Sequence, residues 1–344
     1  MKHGFLVLFL LAARLLSAQD EVRTFHLHEE RMGSSFVYTV EGWDSASAIS
    51  ALKQADAEVA RIEALISSWQ NSSETSRINQ AAGQEAVVAS EELFQLIVRS
   101  IKVSGLTDGA FDISYAGVDK IWKYDGTIEQ IPDSQTVDHS VRLIGYGRMV
   151  LNETDRSVFL PDAGMKIGFG AIGKGYAADR AATMLRELGF DAGVVNAGGD
   201  LICWGSRANG KGWQISIADP VHPNTILASL DIRNMAVVTS GNYEKFIDLD
   251  GIRYSHIIDP RTGWPVRGIR SVTVISPIAE FSDALATGLF VMGVEEALSL
   301  VNQIDRIECL IITDDNEILT SKGLDLELLQ RDSESTDFQF RIGN

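Results

Sequence analysis

Three short stretches of this 344-residue chain carry residue types that could act on a phosphorylated ligand. The first reads GFGAIGKGYAADRAATMLRELGFDAGVVNAGGD from Gly168 to Asp200. A glycine-rich loop, Gly168 to Gly175, leads into a helical pattern with Ala177, Ala181, Met184 and Leu188 at helical spacing, and Gly189 stands where a left-handed cap belongs. Backbone N–H groups at such a junction bind anions, and Lys174 would add a point charge. Two standard fingerprints nearly fit. Gly168, Gly170 and Gly173 satisfy G-x-G-x-x-G, but the next strand, Ala192 to Val195, ends in Asn196 rather than in an acidic residue. Gly168 to Lys174 satisfies G-x-x-x-x-G-K, but Gly175 stands where a P-loop needs Ser or Thr. The loop is either a non-standard phosphate cradle or a structural turn with Lys174 in solvent. Ala197 to Asp200 reads as a tight glycine turn.

The second stretch, Ser255 to Gly263, brings His256, Asp259 and Arg261 together where a strand gives way to a Pro- and Gly-bearing turn. A neutral His256 could accept a proton; Asp259 would either orient it or close the turn. In the third, Asp283 and Thr287 stand four apart on a helix expected to begin at Asp283 with Ser282 as its cap. Two hard oxygen donors on one face suit Mg²⁺ or Ca²⁺. The alternative is a helix-start carboxylate and a Thr bonded back to its own helix. Gly109-Ala110-Phe111-Asp112 is a compact turn with one carboxylate. His26 and His28 share a strand face, as a metal pair or a surface pair.

These residues need a frame. Hydrophobic residues make up 45% of the chain, enough for a large core, and the net charge of −17 argues against nucleic acid or an anionic membrane surface as partner. Residues 1–18 read as a secretory signal: Lys2 and His3, an apolar run too short to span a bilayer, and Ala18 before a cleavage point. No Cys follows that run, so lipid attachment is not indicated and an exported, periplasmic, soluble protein is expected. Cys203 and Cys309 could form a disulfide or remain buried thiols.

Phe25 to Val40 predicts two strands around Met32-Gly33-Ser34. Ser45 to Ile66 predicts a helix with Ile49, Leu52, Ala55, Val59, Ile62 and Ile66 on one stripe. Asn71 to Asn79 reads as a polar loop, and Ser90-Glu91-Glu92 opens a helix that stops by Gly109. Short strands are expected at Met149 to Leu160 (a hairpin), Trp213 to Ala218, Ile226 to Ile232, Ala236 to Val238 and Val272 to Ile275. Thr239 to Tyr243 reads as a turn, and Phe246 to Ile258 as a hairpin around Asp250-Gly251. Val294 to Val301 reads as helical, Cys309 to Thr320 as a last hairpin, and residues past 324 as a polar tail. Tight hairpins argue against an all-parallel sheet. One α+β domain over residues 19–323, of short, mostly antiparallel strands packed with helices, is the economical reading.

Taken in order, these motifs resemble one family, the periplasmic flavin transferases or FAD:protein FMN transferases, formerly described as thiamine-biosynthesis lipoproteins. The resemblance covers about Met32 to Gly323. It rests on Met32-Gly33-Ser34, Ser67-Ser68-Trp69, Ser76-Arg77-Ile78-Asn79, Gly109 to Asp112, Gly170 to Ala177, Val195 to Asp200, Thr239-Ser240-Gly241, Ser255 to Pro260 and Asp283 to Thr287. It implies a Mg²⁺-dependent enzyme that cleaves FAD, moves FMN onto a Thr hydroxyl of a target flavoprotein and releases AMP. It further implies that Met32, Trp69, Ala110, Phe111, Asp112, Lys174 and Ile257 contact FAD. Asp283, Thr287 and the carbonyl of Ala171 would bind Mg²⁺, and His256 and Asp283 would take part in the chemistry. The chain departs from the family pattern at Gly168, where many relatives carry Asp, and in lacking the lipid-attachment Cys. FAD hydrolysis to FMN and AMP, a non-catalytic FAD carrier and a flavin redox enzyme are the competing readings.

Overall fold

A computed structural model of the chain describes residues 22–118, 121–124, 127–128, 130–222, 225–243, 246–249, 252–324, 330–331 and 338–342. The expected signal segment therefore lies outside the described residues. β1 (Arg23–Arg31) and β2 (Ser34–Gly42) form a hairpin whose turn residues, Met32 and Gly33, both have positive φ, +53° and +72°. A two-residue hairpin turn of type I′ requires that backbone. α1 (Ser45–Ile66) keeps its predicted bounds, with Asp44 accepting from Ala46 and Ser47 N–H at its start. Ile49 stands 48% exposed, because Ala48 and Leu52 take the buried line.

The polar stretch after Trp69 is not a loop: α2 (Glu74–Gln80) forms there. Ser73 Oγ caps it by accepting from Ser76 N at 2.9 Å, and buried Thr75 and Ile78 anchor it. Local capping and two anchors outweigh a polar composition. β3 (Val87–Val88) and α3 (Glu91–Leu106), capped by Ser90, follow. Beyond α4 (Ser134–Ser140), β4 (Val150–Asn152) and β5 (Ser157–Phe159) join β3 in a small sheet.

α5 (Gly173–Glu187) buries Ala177, Ala178, Ala181, Ala182 and Leu185. Its buried face is rotated from the predicted one, and Leu188 is exposed. Small side chains let α5 pack closely between α1 and the later helix α6 (Ala279–Met292). Between them in the chain come β6 (Gly193–Ala197) and β7 (Asp200–Trp204), turned by Gly198 and Gly199, then β8 (Trp213–Ala218), β9 (Ile226–Ile232) and β10 (Ala236–Gly241). Thr239 to Gly241, expected in a turn, continue β10 because each pairs with β13 (Ile269–Ser276). β11 (Phe246–Leu249) and β12 (Ile252–Ser255) pair as expected, and the intervening Asp250 and Gly251 lie outside the described residues. The chain continues through α7 (Val294–Val301), β14 (Glu308–Thr313), β15 (Glu317–Thr320), β16 (Gln330–Arg331) and β17 (Gln339–Ile342).

α6 begins at Ala279, one turn before the expected Ser282 cap. The cap comes from another helix: Asp179 on α5 accepts from Ala279 N at 3.1 Å and Glu280 N at 2.8 Å. Ser282 is instead buried against Ser276, their hydroxyls 2.7 Å apart.

The main sheet has nine strands in the order β1-β2-β6-β7-β10-β13-β14-β15-β17, antiparallel except for β15 with β17. α1, α5 and α6 pack on one face, and the β8–β9–β16 sheet packs on the other through Trp213, Ile215, Leu230, Leu310 and Ile312. This is the single α+β domain that the hairpin spacing predicts, but it extends past residue 324, where the sequence reads as a polar tail: β17 pairs with β15 and β16 with β9. Polar contacts fix the helices against each other. Arg61 on α1 bonds both Glu58 and, across to α3, Glu92, each at 2.8 Å; Tyr176 on α5 donates to Glu92 at 2.5 Å; and Arg99 ties α3 to Glu280 on α6 at 2.5 Å. Cys203 and Cys309 are both free and buried. They sit on strands separated by β10 and β13 and pack into the clusters on opposite faces of the sheet, so no rotamer change could join them.

Candidate active site

A cavity of about 650 Å³ opens where the β1–β2 turn, the end of α1, the start of α5 and the middle of α6 converge. Every residue that the family resemblance implies at the site lines it: Met32, Trp69, Ala110, Phe111, Asp112, Ala171, Lys174, His256, Ile257, Asp283 and Thr287; Asp259 and Arg261 do not. Their separation along the chain is closed by the sheet and by one tight helix contact. A Cβ on Gly175 would lie 2.2 Å from the carbonyl oxygen of Ala279, so only glycine lets α5 and α6 meet there.

That contact places Asp283 beneath the loop. Its carboxylate is 4% exposed and accepts from Gly175 N–H at 2.9 Å. Burial pushes its carboxyl above the ordinary range, the nearby Asp200 carboxylate adds to the rise, and Lys174 opposes it. Lys174 is not in open solvent: its ammonium pairs with Asp200, which is 2% exposed at the start of β7. Asp200 is the functional group the sequence reading passed over. Its signal was a carboxylate directly after the Gly198-Gly199 turn, but its partner lies 26 positions back, on another element. Thr287, one turn beyond Asp283, has its hydroxyl 3.2 Å from Ser240 Oγ on β10, and Ser240 also lines the cavity.

The remaining walls are built for rigidity. Asp112 accepts from Ser114 N and Oγ and from Tyr146 N, at 2.8, 2.7 and 2.8 Å, so its oxygens hold two loops together. Burial raises its carboxyl above the usual value despite those bonds. Phe111 is 2% exposed and packs into the main core, whereas Trp69 is 72% exposed at the mouth. Trp69 is thus the ring with a free face. His256 follows β12, and Ile257 N donates to Ser255 Oγ at 2.9 Å, fixing the backbone beside it. Asp259 gives both oxygens to Arg261, each at 2.9 Å, and closes its turn. A Cβ on Gly168 would stand 3.0 Å from the Ala116 Cβ, so loop and wall press together where a side chain would intervene. His26 lies outside the cavity, its Nδ1 2.9 Å from Thr39 Oγ1.

The cavity lining holds the carboxylates Glu63, Asp112, Asp200 and Asp283 against Lys174 as its only lysine or arginine among the described residues. Among those residues no cluster of three or more His, Cys, Asp or Glu is arranged to hold a metal. The donors gathered here are one carboxylate, one hydroxyl and the Ala171 loop backbone. That is a hard-oxygen set too small to enclose a cation, and it fits Mg²⁺ shared with phosphate oxygens.

The cavity thus combines acidic walls, one half-buried lysine and an exposed tryptophan at its mouth. The profile of the ApbE family matches residues 32–311. A FAD:protein FMN transferase of Klebsiella pneumoniae (strain 342) is 33% identical over 277 residues, covering 80% of this chain and 86% of the relative. Among solved structures, the ApbE protein of Thermotoga maritima superimposes with a TM-score of 0.82 at 29% identity, covering 90% of this chain and all of that one. The flavin transferase ApbE of Vibrio cholerae gives a TM-score of 0.78 at 25% identity, covering 88% and 98%. The chain belongs to the ApbE family.

Proposed function

We propose that this chain is a Mg²⁺-dependent FAD:protein FMN transferase, acting on a Thr hydroxyl of a target flavoprotein and releasing AMP. One observation carries the reading: Lys174, Asp200, Asp283, Thr287, His256 and Trp69, drawn from distant parts of the chain, face one cavity of dinucleotide size. Its carboxylates outnumber its lysine, so a pyrophosphate can settle there only with added positive charge. Asp283, Thr287 and the Ala171 carbonyl are the groups that would hold Mg²⁺. When bound, Mg²⁺ would neutralise charge on the phosphate oxygens and on the departing AMP.

The chain's own groups do the rest. Lys174, steadied by Asp200, sets a fixed cation against the pyrophosphate. Trp69 offers a ring face to the flavin or adenine at the mouth. His256 takes the proton from the acceptor Thr as its oxygen bonds to the FMN phosphorus. The bond from that phosphorus to the bridging oxygen breaks, and AMP leaves with the bonding pair.

Residues 1–18 support export, and no helix among the described residues is long and apolar enough to cross a membrane. Incubation of the mature protein with FAD, Mg²⁺ and a tagged protein bearing a candidate acceptor Thr tests the reading by intact mass. A target heavier by one FMN unit, with AMP released, is the expected result. AMP and free FMN with an unmodified target would mean hydrolysis; intact FAD under all conditions would overturn the assignment.

A further inference from the structure

Some hydroxyls on the helices of this protein bond back to their own helix. Others reach away from it, as Thr75, Ser76 and Ser282 do, and Thr287 is of the second kind. Ser100, Ser104, Thr107 and Thr183 each donate to the carbonyl four residues earlier, at 2.8, 3.0, 2.9 and 2.8 Å. That bond is the default for a helical hydroxyl, because the acceptor is always in reach. Thr287 lies in the interior of α6, with the carbonyl of Asp283 at the same offset. Among the described residues its hydroxyl instead meets Ser240 Oγ, at 3.2 Å, across from β10.

We propose that Ser240 is a positioning residue for Thr287, accepting its hydroxyl proton and holding its oxygen toward the cavity. A hydroxyl has one proton and two lone pairs. With the proton directed to Ser240, both lone pairs of Thr287 are available on the face it shares with Asp283. Back-bonded to the Asp283 carbonyl, the same hydroxyl would be held along its own helix. Ser240 can serve because its strand is fixed on both sides of it: Thr239 and Thr273 hydroxyls lie 2.8 Å apart, and the Gly241 backbone sits under the Tyr243 ring, where a Cβ would be only 2.3 Å away. The inference rests on the reading of Asp283 and Thr287 as the Mg²⁺ site.

Mg²⁺ titration by calorimetry, on protein saturated with ADP as an unreactive pyrophosphate, tests it without turnover. Ser240→Ala is expected to weaken Mg²⁺ binding by about 10- to 100-fold, the usual effect of removing a group that orients a metal ligand. Ser240→Thr, which keeps the hydroxyl, is expected to bind as the unaltered protein does. In a Thr287→Ala background the Ser240→Ala change should add nothing, since its effect runs through Thr287. Melting of the ligand-free Ser240→Ala protein should stay at the wild-type temperature. Unchanged Mg²⁺ affinity in Ser240→Ala, or additive losses in the double variant, would overturn the role of Ser240 and leave the metal site standing. Absence of Mg²⁺ binding by the unaltered protein would overturn both.

Discussion

A buried carboxyl that shares its surroundings with a second carboxylate holds its charge poorly, and Asp283 is in that position beside Asp200. Its position is held by Gly175 N–H, which donates to it at 2.9 Å. Asp283→Asn retains an acceptor for that N–H and is expected to lower turnover by at least about a hundredfold. FAD binding, followed by flavin fluorescence, should persist. Trp69 presents the opposite case, since it stands 72% exposed. Trp69→Ala should leave the melting temperature unchanged and weaken FAD binding about tenfold, the scale of one lost aromatic stacking contact. Equal effects on stability and binding would return Trp69 to a packing role.

At the scale of elements, the α5–α6 contact governs the site. Gly175→Ala puts a methyl 2.2 Å from a backbone oxygen that cannot swing away. A loss of about 1–3 kcal/mol in denaturant unfolding is expected from such overpacking, together with loss of FAD turnover. The same two helices are joined again by Asp179, whose carboxyl burial raises from 3.8 to about 6, against the pull of the two N–H groups it caps. Folding therefore favours its protonated form. Stability from this group is full below about pH 4 and is lost as pH rises to about 6, a change of about 3 kcal/mol at 1.36 kcal/mol per unit. Asp179→Asn should flatten that part of the stability–pH curve.

Elements whose reasons are local were legible in the sequence. α1 carries its own cap in Asp44 and a long apolar stripe, and β8, β9 and α7 fall at their predicted bounds. Elements whose reasons come from elsewhere were not. α6 starts early because Asp179 reaches over from α5, and β10 runs on because β13 is there to pair with it. In the site, motif residues could be picked out one by one. The Lys174–Asp200 pair and the Ser240–Thr287 contact could not, since each joins residues that no local spacing relates.

For the whole molecule, the sheet keeps the two thiols apart. Cys203 and Cys309 are on non-adjacent strands and opposite faces, and burial raises both above an ordinary thiol, Cys309 to about 12. The intact mass should be the same with and without reductant, and both thiols should react with a maleimide only after unfolding. A mass rise of two hydrogens on reduction would contradict the strand assignment.

The cavity takes Met32 from the first hairpin and Thr287 from a helix near the other end of the chain, with Lys174 between them. No contiguous fragment that stops short of α6 contains it. A growing polypeptide on the ribosome thus has no site until Thr287 has emerged and α6 has docked on α5. Whatever ligand the cavity takes, the chain therefore has no place for it throughout most of its own synthesis.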